Sequence, residues 1–194
     1  MSMAECKQAV LVEKETAHRD CLTGCYDKMT IQYLVDLCFL KSDVRQSHAM
    51  FVIDVDNFKD YNDKYFKRVN DTWGREFGDI VLNDVAAVLR RIFRRSDYIG
   101  RIGDNEFLVL LRDVEPERLS EKKAQEFYTA LGTLFSARGD ERYKPTCSVG
   151  IARYPMDGTL FETVFQSADA ALHEAKRLGL NRVAFASGCE GRKR

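Results

Sequence analysis

At 194 residues, 45% hydrophobic and 31% charged, the chain has the size and composition of one soluble globular domain around a single core. Its 30 basic and 30 acidic residues give a formal net charge of +0, which excludes the broad basic footprint of a general nucleic-acid binder. No apolar run approaches the roughly 20 residues that cross a bilayer, and Met1–Ala17 is polar and mixed in charge rather than a signal peptide, so the expected location is the cytoplasm.

In chain order, residues 4–18 read as a short helix with few apolar positions, and Asp20-Cys21-Leu22-Thr23-Gly24 reads as a turn. A helix follows with Met29, Tyr33, Leu34, Leu37 and Cys38 on one face. Ala49–Ile53 is a continuous apolar run ending in Asp54-Val55-Asp56, the pattern of a strand buried on both faces. Phe77, Val81, Val85, Val88, Leu89 and Ile92 recur at helical spacing. Tyr98–Ile102 and Phe107–Leu111 are two strands joined by a tight turn at Gly103-Asp104.

Ala124, Phe127, Tyr128, Leu131 and Phe135 mark another amphipathic helix, and Thr146–Tyr154 a strand closed by Pro155 and Gly158. Phe161, Val164, Phe165, Ala168, Leu172 and Ala175 mark the last helix, stopped at Gly179, before a short strand over Val183–Ala186. Strands separated by long helices, with one hairpin between them, predict an α/β (α+β sandwich) fold. The central sheet is mostly antiparallel, on a βαββαβ ferredoxin-like core covered by helices.

The six cysteines, Cys6, Cys21, Cys25, Cys38, Cys147 and Cys189, fit no zinc or redox spacing and are read as reduced structural thiols. Residues 58–65 and 66–73 repeat in tandem, with four of eight positions identical. Eight helical residues turn about 80° beyond two full turns and rise about 12 Å, so Asn62 and Asn70 cannot share one face at one depth.

Asp54 and Asp56 close an apolar strand, where carboxylates are costly unless solvated, paired or metal-bound. Two readings stand on the residues alone: a Mg2+ site of oxygen ligands, or a strand end opening to solvent. Similarly, Arg91, Arg94 and Arg95 either satisfy the C-terminal dipole of a helix or, with Asp97, form a ligand site.

Several motifs in order over roughly residues 18–187 carry a family resemblance. They are Asp20-x-Leu22-Thr23-Gly24, Asp54-x-Asp56-x-Phe58-Lys59-x-x-Asn62-Asp63, Gly74-x-x-x-Gly78-Asp79 and the hairpin Arg101–Phe107. They continue with Ser148-x-Gly150, Ala168-Asp169-x-Ala171-Leu172 and Ala175-Lys176. Together they resemble the GGDEF domain of diguanylate cyclases, here with Gly103-Asp104-Asn105-Glu106-Phe107 at the signature. The resemblance implies a palm-like core over residues 19–187, between a helical lead-in (1–18) and a tail (188–194). Active members condense two GTP into cyclic di-GMP across a head-to-head dimer, with Mg2+ or Mn2+ as cofactor.

Carried over by position, the resemblance implies metal ligands at Asp54, the Val55 carbonyl and, weakened, Asn105. Glu106 and Lys59, or Lys67 of the second copy, would serve catalysis. Asn62, Asn70, Asp79, Lys176 and Gly103 would bind nucleotide. Arg94 and Asp97 match an RxxD inhibitory motif that binds cyclic di-GMP, where arginine offers bidentate bonds to phosphate and aspartate accepts from guanine. Asp20 and Arg101 match a structural ion pair; Tyr98, Trp73 and Phe107 read as core.

Four departures stand out. Asp104 replaces a glycine that lets backbone amides cup phosphate, and like charges 4 Å apart cost about 4 kcal/mol at a surface-like dielectric. Its bland reading, with Asn105, is turn chemistry that tolerates left-handed backbone. Asn105 replaces an acidic metal ligand, Leu180 an arginine, and the repeat lengthens Asp54-to-Asp79 by one copy. The expectation is a degenerate domain in cyclic di-GMP signalling, impaired in catalysis, that binds cyclic di-GMP through its RxxD motif or docks a protein; the alternative is an active cyclase. The expected partners are cyclic di-GMP or GTP and a second copy or another protein, with no nucleic acid and no membrane span.

Overall fold

The structure, a computed structural model, describes residues 17–43, 45–58, 72–114, 116–137 and 145–186. The tandem repeat from residue 59 to 71, with Lys59, Asn62, Lys67 and Asn70, lies outside the described residues, as do most of the helix read over 4–18, the tail, Cys6, Cys189 and the side chain of Trp73.

Five strands form one sheet in the order β2-β3-β1-β4-β5. The elements are α1 (Lys28–Lys41), β1 (His48–Val55), α2 (Thr72–Ile92), β2 (Tyr98–Arg101), β3 (Glu106–Leu111), α3 (Pro116–Ala137), β4 (Cys147–Tyr154), α4 (Phe161–Arg177) and β5 (Val183–Phe185). β1 pairs antiparallel with both β3 and β4, and β2 with β3; β5 joins the edge of β4 in parallel. The βαββαβ core is therefore present, extended by α4 and β5.

β1 is buried at all eight positions because both of its faces are covered. Phe51, Ile53 and Val55 pack with Val81, Val85, Leu89, Phe127 and Leu131 of α2 and α3. Met50 and Val52 pack with Ile31, Val35, Val164 and Leu172 of α1 and α4. Gly150 lets α4 lie on β4, since a Cβ there would run into the Ala168 carbonyl and the Leu172 amide. That close approach sets where the C-terminal end of α4 falls, and Lys176 with it.

One helix face differs from its sequence reading. Met29 and Tyr33 are 76% and 56% exposed, Leu37 is half-buried, and the buried stripe runs through Thr30, Ile31, Leu34, Val35, Cys38 and Phe39. The helix is apolar almost all round, so periodicity alone could not choose the face. Its start is fixed locally: the Asp27 carboxylate accepts from the Thr30 amide at 2.8 Å. Cys21, Cys25, Cys38 and Cys147 carry free thiols, as the spacing predicted. No described helix is long and apolar enough to cross a membrane.

Candidate functional site

The C-terminal end of β1 and the β2–β3 hairpin meet at one point. Asp54 and Glu106 are register partners, and the Val55 amide donates to the Asn105 carbonyl at 3.0 Å. The connection is Gly103-Asp104-Asn105, closed by the Ile102 amide on the Glu106 carbonyl at 2.9 Å. Arg101 holds it from behind: its guanidinium donates to the Gly103 and Asp104 carbonyls and bridges to Asp20 at 3.2 Å. The Asp20–Arg101 ion pair thus joins the first turn to the hairpin.

Asp20 also accepts from the amide and hydroxyl of Thr23. Burial raises its carboxyl pKa, but these bonds and Arg101 outweigh burial and leave it below its usual value.

Asp104 and Asn105 do not use left-handed backbone, which among the described non-glycine residues occurs at Asn57, Asp113, Leu180 and Asn181. The turn read for this pair is present, as the bend between β2 and β3, but it does not draw on left-handed backbone: Arg101 and the strand ends fix the loop, and Asp104 leaves an exposed carboxylate at its tip. Gly103 has a different use, since a Cβ there would press on the Glu106 carboxylate.

Around Asp54 the expected ligand atoms already have partners. The Lys176 ammonium reaches Asp54 at 3.0 Å, from the last turn of α4. The Asn105 side-chain amide donates to the Val55 carbonyl at 2.9 Å. Burial pushes the carboxyls of both Asp54 and Glu106 above their usual values; Lys176 pulls both back only in part, and Asp54 further raises Glu106.

Oxygens of this kind suit a hard cation. As arranged, however, the donor set fits one poorly: an ammonium at Asp54 Oδ2 and an amide donor at the Val55 carbonyl compete with a cation for these oxygens. Among the described residues, no group of three or more His, Cys, Asp or Glu side chains is gathered as a metal site requires.

Asp56 is neither a ligand in waiting nor a solvated strand end. It is 1% exposed and accepts from the Thr146 hydroxyl (2.7 Å), the Ser148 hydroxyl (2.7 Å) and the Asn181 amide (2.9 Å). It ties β1 to β4 and to the turn before β5, where Leu180 and Asn181 both take positive φ. Asp79 stands exposed on α2, and no hydrogen bond or ion pair given among the described residues joins it to this cluster.

The second predicted site lies where α2 runs into β2. A cavity of about 340 Å³ is lined by Arg19, Arg90, Arg94 and Arg95 with Tyr26 and Asp97. Arg90 donates to the Thr23 carbonyl at 2.6 Å, and Arg19 to the Gly24 carbonyl at 2.8 Å while lying 4.4 Å over the Tyr26 ring. Arg94 and Arg95 are exposed, and neither side chain has a hydrogen-bonded partner among the described residues.

The Asp97 carboxylate is 6% exposed and accepts from the backbone amides of Arg94 (2.8 Å) and Arg112 (3.2 Å). It shapes the turn that presents Arg94. Sequence reasoning missed Arg19 and Arg90, which are 71 residues apart and meet only through the turn at Gly24. Phe107 is fully buried and Tyr98 half-buried, as expected of core residues.

A family model described as diguanylate cyclase, GGDEF domain, matches residues 64–182. The chain is similar to the diguanylate cyclase DgcP of Pseudomonas aeruginosa, 32% identical over 90% of this chain and 25% of that protein. It is also similar to the cyclic di-GMP phosphodiesterase NbdA of the same organism, 30% identical over 90% of this chain and 21% of that one. The chain thus spans about a quarter or less of these two relatives. Its fold matches the GGDEF domain of DgcB from Caulobacter crescentus, solved in complex with cyclic di-GMP, with TM-score 0.70, 25% identity, and 87% and 93% of the two chains covered.

Proposed function

The chain belongs to the GGDEF family, and from that premise we propose that it serves cyclic di-GMP signalling by binding the dinucleotide at the cavity around Arg94, with its cyclase site closed. The observation that carries this reading is the contrast in partners. Four arginines converge on the cavity at the end of α2, two of them without side-chain partners among the described residues, whereas Lys176 and Asn105 already occupy Asp54 and the Val55 carbonyl.

Cyclic di-GMP offers two phosphodiester anions and two guanine faces. Guanidinium groups meet the first with charge-assisted bonds and can stack on the second. Asp97 contributes by holding the Arg94 backbone, so Arg94 leaves the turn in a fixed direction. The solved DgcB complex supports the reading by analogy. Association with a second copy or another protein, and metal-assisted handling of GTP, belong to the family and are not needed for this binding step.

Isothermal titration of the intact chain with cyclic di-GMP tests the proposal. Saturable heat at micromolar ligand, lost in Arg94→Ala, is the expected result; no heat at tens of micromolar rejects it. A second reading, an active cyclase, is favoured by one observation: Asp54 and Glu106 face each other across β1 and β3. It requires Lys176 and Asn105 to turn away when GTP and Mg2+ arrive.

A further inference from the structure

A second cavity, of about 360 Å³, lies between α1, the start of β1 and the corner after β3. That is large enough for a small ligand. Its lining includes Arg95 and Arg112, with Lys41 and the Asp113 carboxylate at its rim.

Arg112 is the centre of it. The residue is half-buried, and its guanidinium lies 4.9 Å over the Tyr98 ring. Nη1 donates to the Ser96 carbonyl and the Tyr98 hydroxyl, both at 3.2 Å, and the guanidinium also meets the Cys38 thiol. Nε is buried and has no hydrogen-bond partner among the described residues. The neighbouring carboxylates are directed elsewhere: Asp97 accepts from the backbone amide of Arg112, and Asp113 from the Gln46 amide at 3.1 Å. Burial disfavours the Arg112 charge, while Tyr98, Cys38 and Asp113 offset that and keep the guanidinium charged, and its planar fork of donors suits a tetrahedral oxyanion.

The corner carrying Arg112 is built from below. His48, 1% exposed, accepts from the Asp113 amide at Nδ1 (3.1 Å). Its Nε2 then donates to the Ser42 hydroxyl (2.7 Å), which donates on to the Cys38 carbonyl (2.7 Å). This chain fixes the tautomer of a buried imidazole and holds Asp113 in a left-handed conformation (φ 50°), a strain that persists only where surroundings impose it. It fixes the point from which the Arg112 side chain leaves the sheet.

We propose that this cavity is an anion site that takes the phosphate group of a small phosphorylated molecule on Arg112 and Arg95. It is distinct from the cavity around Arg94, with which it shares Tyr26 and Arg95.

The test follows arginine Nε–H signals in ¹H–¹⁵N correlation spectra of the intact chain while pyrophosphate is added; Arg112→Lys assigns the signal. Saturable movement of the Arg112 Nε–H at sub-millimolar pyrophosphate is expected, and it persists in Arg94→Ala. Arg95→Gln, at an exposed position, should weaken it about tenfold, as loss of one charge-assisted contact implies. Parallel titrations with inorganic phosphate and with GMP separate a bare anion from a phosphorylated nucleoside, and movement with either supports the site. An Arg112 signal unmoved at millimolar concentrations of all three probes overturns the proposal. So does movement abolished by Arg94→Ala but untouched by Arg95→Gln, which would assign the binding to the other cavity.

Discussion

The end of β1 and the end of α2 are two charged regions on one scaffold, and they manage charge in opposite ways. At the end of β1, two carboxylates approach each other and the chain supplies its own cation, Lys176, 3.0 Å from Asp54. Asn105 fills the adjacent position with a neutral donor to the Val55 carbonyl. At the end of α2, four arginines converge, and the nearest carboxylate, Asp97, is turned to backbone amides. The first region supplies its own cation to Asp54 and its own donor to the Val55 carbonyl, while burial and Asp54 still hold the Glu106 carboxyl above its ordinary value. In the second, Arg94 and Arg95 have no carboxylate partner among the described residues. On the proposed function, a closed site and a binding site in one domain would differ in how local partners are assigned.

The most severe perturbation runs through α4. Gly150→Ala would place a methyl against the α4 backbone and push away the helix that carries Lys176. A loss of about 3 kcal/mol or more in urea unfolding is expected, at the upper end for overpacked cores. Next, Arg94→Ala should weaken cyclic di-GMP binding by about 10- to 100-fold, the loss of one charge-assisted contact of 1.5–3 kcal/mol, and leave the unfolding midpoint unchanged. Calorimetric titration and urea unfolding measure the two halves of that statement.

Asn105→Asp sharpens the other side. It removes the donor to Val55 and restores an acid, so Mn2+ should bind at least about tenfold more tightly, because hard-cation affinity follows ligand charge. Electron paramagnetic resonance of free Mn2+ reads this without any turnover. The smallest effect is thermal. Burial and Asp54 hold the Glu106 carboxyl above its ordinary value of 4.5, so the folded state binds that proton more tightly than the unfolded one. The associated stability is present in full below pH 4.5 and is lost as pH rises through the raised value. Glu106→Gln should therefore raise Tm at pH 7.5, by about 2–4 °C for each kcal/mol recovered, and the gain should vanish near pH 4.

The architecture was legible because its signals were local. The unbroken apolar run of β1 announced a strand covered on both faces, and α2 and α4 carry clear helical stripes. α1 misled because nearly every side of it is apolar, leaving neighbours to decide that Ile31 and Val35 go in while Met29 and Tyr33 stay out. At the candidate site, the sequence put forward Asp54, Asn105, Glu106, Lys176 and Arg94 as candidates, but not what each would touch. That the Asn105 side chain donates to a carbonyl 50 residues away, or that Asp97 caps two backbone amides, depends on distances that only the assembled sheet creates. Asp56 shows the same limit: its position in the motif suggested chemistry, and three hydrogen bonds give it a structural task.

The most direct measurement is incubation of the purified chain at high concentration with GTP and Mg2+ or Mn2+, followed by chromatography for cyclic di-GMP. With Lys176 and Asn105 holding the ligand atoms of β1, no dinucleotide should accumulate above a protein-free control. Steady, protein-dependent formation of cyclic di-GMP would contradict the account and identify those two contacts as a resting arrangement that GTP and its metal displace.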